Sequence, residues 1–120
     1  MYDVIVLGKG PAGIQAAVYI KRANLNVLII GKDGGALSKT DKVGNYYGFT
    51  QISGPELLEE GIKHAKSLNI EIIEDEKKQT NVPGLFAAGD CTPGVMQIAK
   101  AVGDGCVAGL ESIAFIRNLK

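Results

Sequence analysis

A chain of 120 residues and 12.6 kDa lies in the size range of one domain, so two independent cores are not expected. Thirteen Lys and Arg against thirteen Asp and Glu give a formal net charge of zero. This removes the long-range field on which nucleic-acid and anionic-membrane binders depend, and neither partner is expected. Sixteen glycines beside four prolines, with no collagen-like period, point instead to tight turns.

Asp3 to Leu7 (DVIVL) is a short β-branched run that stops at Gly8. It is apolar throughout and reads as a central strand covered on both faces. From Pro11 the apolar residues fall at Ile14, Ala17 and Val18, with Lys21 and Arg22 at the far end. Helical spacing, proline in the first turn and cations in the last make this a helix. Asn26 to Ile30 (NVLII) follows at once as a second strand, and the crossover rule sets the two strands parallel in a βαβ unit. Residues 31–52 show no sustained period and carry Gly31, Gly34, Gly35, Gly44 and Gly48, so they read as a long functional loop. Ser53 and Glu56 form a capping box ahead of Leu58, Ile62, Ala65 and Leu68, which line one helical face. Ile70 to Glu74 is a third strand that runs into a charged, solvated turn from Asp75 to Lys78. Leu85 to Ala88 is a fourth, ended by Gly89. The last segment, about Gln97 to Asn118, places Ile98, Ala101, Val102, Cys106, Gly109, Ile113 and Ile116 on a broad apolar stripe of one long helix. Together these predict an α/β, Rossmann-like dinucleotide-binding fold in one domain, 1–120, with a mainly parallel sheet and helices on both faces.

No apolar stretch approaches the length of a membrane span, and the N-terminus enters a strand pattern without a basic leader, so the expectation is a cytoplasmic protein. Cys91 and Cys106 have neither redox Cys-x-x-Cys spacing nor the partners that a metal site with His64 would need. Cys91 reads as a small packed residue and Cys106 as core. His64 lies one turn after Glu60 and is expected in a solvated pair with it. No catalytic or metal-ligating residue is assigned.

The motif with chemical content is Gly8-Lys9-Gly10-Pro11-Ala12-Gly13, a G-x-G-x-x-G that follows a strand and opens a helix. Its first glycine permits the turn, its second admits a pyrophosphate to the backbone, and its third lets helix and strand pack closely. The helix N-terminus adds amide donors and positive potential. The acid that commonly meets the ribose about 20 residues on is missing, because the second strand ends in Gly31. Lys32 suggests a 2′-phosphate and hence NADP, whereas Asp33 is two positions late, so this end of the chain leaves the dinucleotide open.

A second constellation, Thr80-Asn81-Val82-Pro83-Gly84-Leu85-Phe86-Ala87-Ala88-Gly89-Asp90, sets a carboxylate at the carboxyl end of a short strand, where open α/β sheets hold their ligands. With GKGPAGIQAAVYIKRANLNVLIIG, GGAL and NYYGF, it resembles the flavoprotein disulfide reductases, and within them the FAD-binding lobe of low-molecular-weight thioredoxin reductase. The resemblance covers nearly the whole chain in two blocks, about 1–76 and 77–120. It implies FAD as cofactor, with Gly8, Gly10 and Gly13 at the pyrophosphate and Asp90 accepting from the ribityl chain. Gly34, Gly35 and Asn45 would line the flavin, and Gln97 with the backbone of Ile98 would meet its pyrimidine side. Pro11, Ala12, Gly31, Lys32, Ala36, Leu37 and Gly89 complete the implied set. Tyr46, Tyr47 and Phe49 would either stack on the flavin or pack locally.

Ala36 stands where the family usually has glutamine, and Met96 where arginine commonly precedes the glutamine. The larger departure is the second nucleotide domain that, in the family, separates the two blocks and carries the NADPH site and the Cys-x-x-Cys pair. A short turn around Asp75 to Gln79 takes its place. The resemblance thus implies a noncovalent FAD-binding domain that forms a homodimer and lacks NADPH-dependent disulfide reductase activity. Two alternatives stand beside it: a flavin electron-transfer enzyme fed by a protein donor such as ferredoxin, and an NADP-binding module.

Overall fold

Two β-branched runs, Val4–Leu7 (β1) and Val27–Ile30 (β2), lie parallel in the computed structural model, which describes residues 2–31, 35–73 and 97–119. Val4 faces Val27 and Leu7 faces Ile30, and a third strand, Glu71–Ile73 (β3), joins the other side of β2 in parallel with Ile72 opposite Ile29. Because side chains alternate along a strand, this register sorts the sheet into two faces. Val4, Val6, Val27, Ile29 and Ile72 turn toward the core, together with Ile70 just before β3. The rows Ile5–Leu28–Glu71 and Leu7–Ile30–Ile73 turn the other way.

The strand order β1-β2-β3 makes β2 the middle strand of the described sheet. A parallel strand between two neighbours is expected to be buried on both faces. Val27, Leu28 and Ile29 are buried, whereas Ile5 and Leu7 of β1 are 50% and 39% exposed. Helix Pro11–Arg22 (α1) packs Ile14, Ala17, Val18 and Ile20 on the core face. Helix Gly54–Ser67 (α2) adds Ala65 and Ile62, and helix Ile98–Asn118 (α3) adds Ile113 and Ile116 to the same cluster. The three described helices thus all contribute side chains to this one cluster.

Local chemistry explains where the helices begin and end. Ser53 Oγ accepts from the Glu56 N–H at 3.2 Å, the first half of the expected capping box. α1 and α2 both stop on an asparagine in left-handed conformation, Asn24 (φ 63°) and Asn69 (φ 60°). In each case the next residue, Leu25 or Ile70, donates its N–H back to a carbonyl in the last turn, Ile20 or Ala65, and is itself buried. This closure satisfies carbonyls the helix end leaves free and turns the chain into the following strand.

α1 and α3 touch through small residues. Gly105 abuts the backbone of Ala12, and a Cβ placed there would overlap the Ala12 carbonyl; a Cβ at Gly109 would stand 3.0 Å from the Ala16 carbonyl oxygen. This approach leaves Cys106 beside the contact and only half-buried, not in the core as expected, because the small residues occupy the buried face. Its thiol meets the Tyr19 phenol, and that hydrogen bond, followed by the neighbouring sulfur's charge, pushes the phenol above its ordinary value.

The long loop is more ordered than its composition predicts. Gly35–Lys39 forms a 3₁₀ turn, and Val43 and Ile52 form an antiparallel bridge. The expected fourth strand, the charged turn of 75–78 and Cys91 lie outside the described residues.

Candidate functional site

The site begins where β1 ends. Gly8 takes φ 111°, a conformation that favours glycine, and donates its N–H to the Ile30 carbonyl at 2.6 Å. Gly10 caps α1 in extended conformation with no side-chain hydrogen bond, and Pro11 has no N–H to satisfy. The first amide in the helical ladder is Ile14, which bonds the Gly10 carbonyl at 3.0 Å. The N–H groups of Ala12 and Gly13 are thus left without intrahelical partners. Gly13 is held so closely that a Cβ would overlap the Gly8 carbonyl. Turn, uncapped helix start and close packing are the three features an anionic pyrophosphate requires.

A cleft of about 490 Å³ opens at this helix start. Leu7, Gly8, Gly10, Pro11, Ala12 and Gly13 form one wall. The 3₁₀ turn and the chain after it supply Gly35, Ala36, Leu37, Thr40, Lys42, Val43 and Asn45, and the start of α3 supplies Gln97, Ile98 and Ala101. Across the cleft, Asn45 Nδ2 donates to Gln97 Oε1 at 3.1 Å, joining residues 52 positions apart. The volume and the mixture of apolar walls with a few polar groups are those of a cofactor site.

The structure brings together Gly8, Gly10, Pro11, Ala12, Gly13, Gly35, Ala36, Leu37, Asn45, Gln97 and Ile98 of the set inferred from sequence. Gly31 is buried outside this lining, where a Cβ would stand 2.7 Å from the Lys9 nitrogen, so its role there is close packing under the loop. Lys32, Gly34, Gly89 and Asp90 lie outside the described residues. Leu7, Thr40, Lys42, Val43 and Ala101 line the cleft without having been singled out. Ala101 had a signal, since it lies on the same helix face as Ile98; residues 40–43 had none, because they carry no period.

Tyr46 and Phe49 lie outside the lining of this cleft. Their rings lie 6.5 Å apart and 14° from parallel, and both border a neighbouring apolar cleft of about 470 Å³ formed with α2. Local packing is therefore what the structure shows for them, while Tyr47 is 98% exposed. Glu60 pairs with Lys63 at 3.4 Å rather than with His64. Among the described residues no His, Cys, Asp and Glu cluster could hold a metal, and no helix is long and apolar enough to cross a membrane.

Comparison with known proteins agrees with this geometry. The family described as glucose inhibited division protein A matches residues 3–81. A thioredoxin reductase of Bacillus subtilis is 47% identical over 81 residues, which are 66% of this chain and 26% of that protein. The chain thus spans about a quarter of the length of such curated relatives. Among solved structures, the thioredoxin reductase of Streptococcus pyogenes superposes with a TM-score of 0.59 at 42% identity, covering 62% of this chain and 25% of that one. A ferredoxin-flavin thioredoxin reductase of Clostridium acetobutylicum gives 0.58 at 39% identity over 62% of this chain and 27% of its own. The cofactor shared by the matched family and the thioredoxin reductase homologues is FAD, and the uncapped glycine-rich helix start fits its pyrophosphate. With its fold, its cleft and the match over residues 3–81 in agreement, the chain belongs to the glucose inhibited division protein A family, as an FAD-binding domain of thioredoxin reductase-like type.

Proposed function

We propose that the chain is a minimal flavoprotein, an FAD-binding domain that holds its cofactor noncovalently without NADPH or dithiol machinery of its own. The observation that carries this reading is the joining of the two sequence blocks at one cleft. Gln97, which caps α3, and Ile98 and Ala101 of α3 line the same cleft as the glycine-rich loop, and Asn45 bonds to Gln97 across it. In this reading the first-turn amides of α1 bind the pyrophosphate, and the start of α3, which has no acidic residue in its first turn, favours negative charge at the pyrimidine side of the ring. Asp90 accepts from the ribityl chain. Bound FAD supplies electron transfer; the chain's part is to bind it, orient it and set the potential around it. The sequence contains no Cys-x-x-Cys, so disulfide reduction is not assigned to these 120 residues. A cytoplasmic location accords with two cysteines at a spacing that implies no disulfide.

The test is the visible spectrum of the purified protein followed by chromatography of the heat-released ligand. A flavin spectrum with released FAD supports the proposal; colourless protein, or released FMN or NADP, refutes it. A second reading, flavin electron transfer from a protein donor, is favoured by the likeness to the ferredoxin-flavin thioredoxin reductase. Reduction of the bound flavin by reduced ferredoxin, at rates that saturate with ferredoxin, would select it.

We also propose a homodimer. Val107 and Leu110 of α3 are 54% and 52% exposed, more apolar surface than a solvated helix face needs.

A further inference from the structure

We infer that Lys42 is an electrostatic anchor for the negative charge of FAD. Of the described residues that line the cleft it is the only one with an ionisable side chain; the others are glycine, apolar residues, Thr40, Asn45 and Gln97. FAD brings a doubly charged pyrophosphate to this cleft in every redox state, and reduction can add charge on the ring. The amides of α1 answer that charge with partial charges alone. Among the described residues Lys42 is the one full positive charge that lines this space, and no ion pair with the described residues competes for it.

Its presentation is fixed by the neighbouring residue. Val43 is buried, donates its N–H to the Ile52 carbonyl at 2.7 Å and accepts from the Ile52 N–H at 3.0 Å. The backbone that carries Lys42 is therefore held at the cleft before any ligand arrives, and only the side chain must be ordered on binding. Because the lysine is exposed, its contribution is modest and screened by salt.

This inference rests on the FAD reading, and the experiment separates the two. FAD affinity is measured by fluorescence titration of the stripped full chain, over increasing sodium chloride, for the wild type, Lys42→Gln, Lys42→Glu and the control Lys39→Gln. Lys39 is an exposed lysine outside the cleft lining. The dissociation constant is expected to rise about three-fold in Lys42→Gln and about ten-fold in Lys42→Glu at low ionic strength, within the range for one and two units of exposed charge. Both differences should close toward 1 M salt, where the screening length falls to about 3 Å. Lys39→Gln should match the wild type.

The midpoint potential distinguishes the two sources of negative charge. Equal weakening of oxidised and reduced FAD, with the potential unmoved, places Lys42 at the pyrophosphate. A lowered potential with oxidised affinity retained places it at the ring. Lys42 variants that match Lys39→Gln in both affinity and potential overturn the inference while leaving the FAD reading intact. A wild type that takes up no FAD overturns both.

Discussion

Replacing Gly105 by alanine tests whether the α1–α3 contact organises the cleft. A Cβ at Gly105 overlaps the carbonyl oxygen and carbon of Ala12, and these backbone atoms cannot rotate away as a side chain would. Overpacking of this kind costs typically 1–3 kcal/mol, and a backbone obstacle places it near the top of that range, about 3 kcal/mol. Alanine recovers roughly 1 kcal/mol of helix propensity, so a net loss of about 2 kcal/mol is expected. Gly103 supplies the control, because it lies on the same helix with nothing within 4 Å of its Cβ position. Gly103→Ala should stabilise by about 0.5–1 kcal/mol. In urea unfolding, with a slope of about 2 kcal/mol per molar, the midpoint of Gly105→Ala should fall by about 1 M while that of Gly103→Ala rises slightly. FAD affinity should fall only in the former, since Ala12 is a cleft residue and α3 carries Gln97 and Ile98. Equal midpoints for the two variants would refute the argument.

Asp90→Ala should weaken FAD binding by about 1.5–3 kcal/mol, the range for a hydrogen bond to a charged group; unchanged affinity in a fluorescence titration would remove Asp90 from the site. Light scattering should give twice the chain mass at micromolar concentration, and Leu110→Lys should shift it toward the 12.6 kDa monomer; a wild type that scatters as a monomer throughout would refute the dimer. In anaerobic stopped flow, NADPH should reduce the flavin slowly and without saturation, because orienting the reacting groups supplies effective molarities of about 10⁵–10⁸ M and the sequence has one G-x-G-x-x-G only. Saturable reduction at about 1–10³ s⁻¹, an ordinary turnover range, would show a nicotinamide site in the chain, whereas dithionite should reduce the flavin in either case.

Much of the architecture was legible before any coordinates, because the signals that carry it are short-ranged. The run Val4–Leu7, the proline-led helix Pro11–Arg22, the run Val27–Ile30, the Ser53 cap of Gly54–Ser67 and the stripe of Ile98–Asn118 each show a local period or a capping residue, and the elements form there. The glycine-rich loop was equally legible, since its conformation is dictated by which residue tolerates φ 111° at Gly8 and close packing at Gly13. Other features needed the tertiary structure. Only strand pairing shows that β2 lies between β1 and β3, because an apolar run has the same composition wherever it falls in a sheet. The packing of α3 on α1 moved Cys106 out of the core, and the path of residues 40–45 brought Thr40, Lys42 and Val43 to the cleft while sending Tyr46 and Phe49 to its neighbour. The bond from Asn45 to Gln97 joins segments 52 residues apart that share no pattern. Local backbone preference acts over a few residues and is written in their spacing, whereas the walls of a cleft are set by which distant surfaces bury each other, and that is decided only when the whole chain packs.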